Sequence, residues 1–101
     1  MKYCDQALYD EINTFLDAGA QKYKWTYDWA TDDCDENDYV YVRTADKSIC
    51  FYINIFKDDP ELLFTWISDL SMGIGGDFNC IKNKLIELLQ DYDVSHNLKE
   101  Q

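Results

Sequence analysis

Two segments rich in β-branched and aromatic residues, 39–44 and 49–56, flank the short polar stretch Ala45-Asp46-Lys47-Ser48, and this arrangement restricts the fold more than any other feature. Such runs around a tight turn form an antiparallel hairpin. With Asp46-Lys47 as a two-residue loop, Thr44 faces Ile49, Val42 faces Phe51 and Val40 faces Ile53, which gathers the apolar groups on one side. The other side pairs Tyr41 with Tyr52, Arg43 with Cys50 and Tyr39 with Asn54. A slip of one residue would mix the two sides, so this register is expected. Asp46-Lys47 is not the preferred Asn-Gly turn, and a longer loop is the alternative.

The flanking chain supplies the rest of the expected fold. Leu8, Ile12, Phe15 and Leu16 form a stripe at helical spacing, predicting a helix over 5–18 that stops at Gly19. Tyr23, Trp25, Tyr27 and Trp29 then alternate with smaller or polar residues, predicting a strand with its four rings on one buried side. Residues 31–38 hold five acids and no base, and read as a loop. At Asp58-Asp59-Pro60-Glu61, Asp59 suits a helix cap and Pro60 the first turn; Leu63, Trp66, Ile67 and Leu70 make the stripe, which breaks over 72–76. Asp77 caps a last helix carrying Phe78, Ile81, Leu85, Leu88 and Tyr92, and 93–101 is expected to fray. The expected class is α+β, a three-stranded antiparallel meander with helices packed on one face, in the order α-β-β-β-α-α. With 101 residues, 47% of them hydrophobic, the chain suits one domain spanning 1–101. The uncovered sheet face is expected to be aromatic and partly open to water.

Twenty Asp and Glu against nine Lys and Arg give a net charge of −11. That charge repels nucleic acid and anionic membrane, and phosphate-backbone affinity depends on basic residues, so a basic protein surface is the favoured partner. Six acids lie between Asp28 and Asp38 without a base: Asp28, Asp32, Asp33, Asp35, Glu36 and Asp38. Between Asp58 and Asp77 lie five more, of which Asp58, Asp59 and Glu61 are clustered. Carboxylates spaced along a shared edge would resemble a phosphate track. Tyr39, Tyr41 and Tyr52, on the uncovered side of the hairpin, are the aromatic candidates for contact with a partner.

Reactive chemistry is sparse. The four cysteines (Cys4, Cys34, Cys50, Cys80) contain no CxxC pair, and the single histidine is His96, so neither a metal site nor a cofactor is expected. Cys50 and Cys80 read as small core residues and Cys34 as an exposed thiol, all reduced; a disulfide, with three full pairings, is the alternative. Asp33, Asp35 and Asn37 match the opening of a calcium loop, but Asp38 stands where glycine makes the turn and Thr44 where a bidentate glutamate is required. Gly73-Ile74-Gly75-Gly76 suggests a phosphate loop but lacks its lysine and precedes Asp77; a flexible connection between helices fits better. No nucleophile has a neighbouring base, and the chain is not expected to be an enzyme. The opening Met1-Lys2-Tyr3-Cys4-Asp5 has no apolar signal region, and no run approaches membrane-spanning length, so cytoplasmic residence is expected.

Being short, acidic, free of a signal and without catalytic residues, the chain resembles in type the phage and mobile-element antagonists of bacterial defence, the anti-CRISPR and antirestriction proteins. The resemblance is one of size and composition and covers no alignable segment. It implies an inhibitor that occupies a nucleic-acid-binding surface of an enzyme or nucleoprotein complex by mimicking nucleic acid. The alternative expectation is an immunity or adaptor protein that binds one protein through the aromatic sheet face. The α-β-β-β-α order is similar to that of double-stranded RNA-binding domains, but the basic face such domains need is missing.

Overall fold

The computed structural model describes residues 2–68 and 72–96, with Met72 and His96 as backbone only. Seven elements follow one another: α1 (Gln6–Tyr23), β1 (Thr26–Asp32), β2 (Asn37–Arg43), β3 (Cys50–Phe56), β4 (Leu62–Trp66), β5 (Met72–Gly76) and α2 (Phe78–His96). The class is α+β as expected, but among the described residues the sheet has five strands and the helices number two. All neighbours are antiparallel in the order β1-β2-β3-β4-β5, a meander.

The central hairpin has the expected register, with Val42 opposite Phe51, Val40 opposite Ile53 and Tyr41 opposite Tyr52. Lys47 takes the left-handed conformation at φ 62°, and its amide donates to the Thr44 carbonyl at 3.1 Å. Asp46 braces the turn by accepting from the Ser48 amide and the Ser48 and Thr44 hydroxyls.

The second expected helix, starting at Asp59 and Pro60, is strand β4. Leu62, Phe64 and Trp66 point to the core, whereas Leu63 and Ile67 are exposed on the other face, which is a period of two. The apolar positions fit both periods, and pairing with β3 decides, because it satisfies the backbone and aligns Leu62, Phe64 and Trp66 with Ile55, Ile53 and Phe51. The capping chemistry of Asp59 is used differently. Its carboxylate accepts from the Glu61 amide at 2.9 Å across Pro60, closing a turn between strands. Leu70 lies outside the described residues. The expected break at 72–76 is strand β5, paired from Leu62↔Gly76 to Trp66↔Met72. Gly76 is held at φ 156°, where a Cβ would stand 3.0 Å from the Cβ of Cys80, so close packing against α2 favours glycine there.

Helix α1 also differs in extent. It runs through Gly19 and ends where Lys24 adopts φ 62° and returns its amide to Ala20. Gly19 serves packing: a Cβ on it would lie 2.1 Å from the Trp25 ring, and the Trp25 indole donates to the Leu16 carbonyl at 2.9 Å. Tyr23 therefore belongs to the helix; it still packs against the core, as do Trp25 just before β1 and Tyr27 and Trp29 within it. At the other end, Asp77 accepts from the Cys80 amide at 2.9 Å, the expected cap. Helix α2 continues to His96, past the expected start of the tail, because Asp93 is buried against α1. Residues 97–101 lie outside the described residues.

Both helices cover one sheet face. Ile12 and Leu16 of α1 and Phe78, Ile81, Leu85 and Leu89 of α2 pack on Val40, Val42, Phe51, Ile53, Phe64 and Trp66. Phe51 is the hub, stacked on Trp66 at 5.9 Å and edge-on to Trp25 at 5.7 Å. Among the described residues no helix is long and apolar enough to cross a membrane.

Candidate functional site

Among the described residues no helix lies over the sheet's second face, and the layout of that face follows from the register. One row across the strands reads Asp28, Tyr41, Tyr52, Thr65 and Gly73; the next reads Ala30, Tyr39, Asn54, Leu63 and Gly75. Beyond them lie Asp32, Asn37 and Phe56 at one end, and Arg43 with Cys50 at the other. Small residues at Ala30, Gly73 and Gly75 leave the three tyrosines and Leu63 as the relief of this face.

The tyrosines are half-buried and mutually supported. Tyr41 stacks on Tyr52 at 4.6 Å with planes 23° apart, and Tyr39 lies 6.0 Å from Tyr52. At the Arg43 end the chain's own cations cover Tyr41: the Arg43 guanidinium is 5.0 Å and the Lys47 ammonium 5.3 Å from its centroid. Lys47 also donates to the Tyr41 hydroxyl at 2.9 Å, which raises the lysine pKa, while burial raises that of Tyr52. Arg43 pairs with Asp28 at 2.8 Å.

At the opposite end the two acidic segments meet. The β1–β2 turn and the β3–β4 connection lie side by side, joined by the Lys57 amide on the Glu36 carbonyl at 2.9 Å and the Lys57 ammonium on the Glu36 carboxylate at 3.2 Å. Asp32 organises its turn by accepting from the amides of Cys34 and Asp35. Asp33 accepts from Lys2 at 2.7 Å and from the Tyr3 hydroxyl at 3.1 Å, and the Lys2 hydrogen bond is the main reason its pKa is lowered. Asp32, Asp35, Asp58, Asp59 and Glu61 have no ion-pair partner among the described residues.

Asp38 is the one named acid that the fold buries. It sits on the covered face, where one carboxylate oxygen accepts from the backbone amides of Lys2, Tyr3 and Cys4, and the other from the Thr31 hydroxyl. Burial alone would raise its pKa; the hydrogen bonds from Thr31 and those amides outweigh it and hold the pKa low. Its negative charge is thus spent on anchoring residues 2–4.

Between the tyrosines and the acidic end lies a depression of about 340 Å3, lined by Asp32, Asp35, Asn37, Tyr39, Tyr52, Asn54, Phe56 and Leu63. Asn37 donates to Asn54 at 2.9 Å across its floor. Sequence reasoning missed Phe56, Leu63, Asn37 and Asn54 as members. Phe56 follows Tyr52 and Asn54 at intervals of two, so that signal was present; Leu63 was hidden by the helical reading.

A second hollow of about 440 Å3 lies between the helices, with Phe15, Gly19, Trp25, Leu89 and Asp93 in its lining. Asp93 accepts from Lys22 at 2.7 Å and Tyr23 at 3.3 Å, while its other oxygen is buried without a partner among the described residues. The calcium-like spacing does not converge: Asp33 turns to Lys2, and Asn37 is a buried strand residue. Among the described residues no group of three or more His, Cys, Asp and Glu side chains is placed to hold a metal ion. All four cysteines are free thiols; Cys50 is buried and Cys34 exposed as expected, but Cys80 is exposed. Comparison with protein-family models, curated proteins and solved structures found no match.

Proposed function

We propose that the protein is a small acidic inhibitor that docks the tyrosine-lined face and acidic end of its sheet onto a basic protein surface that otherwise holds nucleic acid. One observation carries this reading: the acid-rich β1–β2 turn and the acid-rich connection after β3 lie side by side at one end of the sheet, where Lys57 binds Glu36. A net charge of −11 discourages contact with nucleic acid itself and speeds encounter with a cationic groove. The half-buried tyrosines add contact area at small entropic cost, because their stacking already fixes their positions. Inhibition in this reading is occupancy of the groove, of the anti-CRISPR or antirestriction type, and the inhibitor carries out no reaction.

The test is capture from bacterial lysate on immobilised protein at about 50 and about 500 mM salt, with and without added nucleic acid. Retention of a nucleic-acid-binding protein that weakens with salt and is displaced by nucleic acid is expected. Retention indifferent to both would overturn the reading.

The Tyr41–Tyr52 stack favours a second reading, an adaptor or immunity protein that binds through the aromatic face, with charge serving solubility. In that case truncating Tyr39, Tyr41 or Tyr52 weakens binding more than reversing Asp32, Asp35, Asp58 or Asp59. The two sets of variants, measured on the captured partner, separate the readings.

A further inference from the structure

We infer that the depression between Tyr39, Tyr52 and Phe56 is a receptor for a single guanidinium group, an arginine side chain of the partner. The inference rests on the reading of the open face as a docking surface and names the group that anchors there.

The face already shows how it holds cations. At its other end Tyr41 carries Arg43 at 5.0 Å and Lys47 at 5.3 Å, so one tyrosine is satisfied from within the chain. Among the described residues no lysine or arginine lies over Tyr39, Tyr52 or Phe56. Those three rings line a hollow together with two carboxylates, Asp32 and Asp35. Asp32 is partly used by its turn, and Asp35 makes no hydrogen bond through its side chain among the described residues. Lys57, in the adjoining connection, is paired with Glu36.

The chemistry of the walls selects the occupant. Aromatic faces attract a cation, and most strongly one that sheds its hydration shell easily. A guanidinium is weakly hydrated and planar, so it can lie on a ring while its edge donates to carboxylate and amide oxygens; an ammonium does this poorly. Asp35 and the Asn37–Asn54 floor offer such acceptors beside the rings. A hollow of about 340 Å3 has ample room for one such side chain. Asn37 and Asn54 are tied to each other, which keeps the floor in place before anything arrives.

The experiment titrates the isolated chain with N-acetyl-arginine amide, and separately with N-acetyl-citrulline amide, which has the same shape without the charge. Binding is read from NMR shifts of the aromatic side chains and backbone amides. Saturable shifts at Tyr39, Tyr52 and Phe56 are expected, with the citrulline compound weaker by about fivefold. Asp35→Asn should weaken the arginine compound about two- to threefold. Tyr39→Leu should weaken it more while leaving the melting temperature within a few degrees. Equal binding of the two compounds, shifts centred on Tyr41 instead, or no saturation overturns the site. Because no macromolecule is present, this outcome is separable from the capture experiment. Salt-independent capture with intact arginine binding removes the inhibitor and keeps the site, and the reverse removes the site alone.

Discussion

Gly19→Ala sets two known effects of opposite sign against each other. Gly19 lies inside α1, so alanine there should stabilise the helix by about 1 kcal/mol through lower backbone entropy. The new methyl carbon, however, would sit 2.1 Å from one carbon of the buried Trp25 ring and 2.5 Å from the next. The ring cannot retreat easily, since it packs edge-on against Phe51 and stacks on Tyr23 at 5.3 Å. Moving it breaks the indole hydrogen bond to Leu16, worth about 1 kcal/mol, and overpacking a core costs about 1–3 kcal/mol. The clash wins, and the variant should be about 2 kcal/mol less stable, a fall of about 10 °C in melting temperature. Urea unfolding followed by tryptophan fluorescence measures it. In a Trp25→Leu background the same substitution should cost nothing or stabilise. A single Gly19→Ala variant as stable as the parent, or more so, would show that Trp25 does not occupy the space above Gly19.

Three further outcomes follow from the same contacts. Asp38→Ala strands the amides of Lys2, Tyr3 and Cys4 and should cost about 3 kcal/mol, whereas Asp38→Asn should cost about 1 kcal/mol; denaturant midpoints within error of the parent would contradict the anchoring role. Asp38 and Asp77 have lowered pKa values, and Asp46 is pulled down to about 2, chiefly by the Ser48 amide and hydroxyl. Their stabilisation is complete above the unfolded carboxylate value of about 3.9 and is lost as pH falls through the folded values, so urea midpoints should hold from pH 7 to about 4 and drop below it. A steady decline already between pH 7 and 5 would refute this. Reversing Asp58 and Glu61 together to lysine should slow association with the captured partner about tenfold at low salt and leave dissociation nearly unchanged, as surface plasmon resonance would show; an effect confined to dissociation would argue against steering.

The parts of the fold legible in the sequence were those where one periodicity had no rival. The β2–β3 register followed from Val40, Val42, Phe51 and Ile53 against Tyr39, Tyr41 and Tyr52, because a slip would have exchanged their faces. The Asp77 cap and the α2 stripe were equally plain. Residues 62–67 were not, since Leu62, Leu63, Phe64, Trp66 and Ile67 are apolar on both periods, and only the neighbouring strand decides between them. Gly73, Gly75 and Gly76 concealed β5 for a related reason: glycine has low strand propensity, and here a flat face and close approach to Cys80 make it fit. Within the site, the tyrosines and most acids could be named from the sequence. The burial of Asp38 could not, because it depends on amides more than thirty residues away.

A sheet in which each strand pairs with the one just before it grows hairpin by hairpin, with only short loops to close. The remote contacts are left to the helices at the two ends of the chain, where Lys22 meets Asp93 across 71 positions. As the chain leaves the ribosome, the strands are therefore complete before α2 exists. Until residues 78–96 emerge, Phe64 and Trp66 lack their roof, and this apolar half is the surface most exposed to misassociation during synthesis.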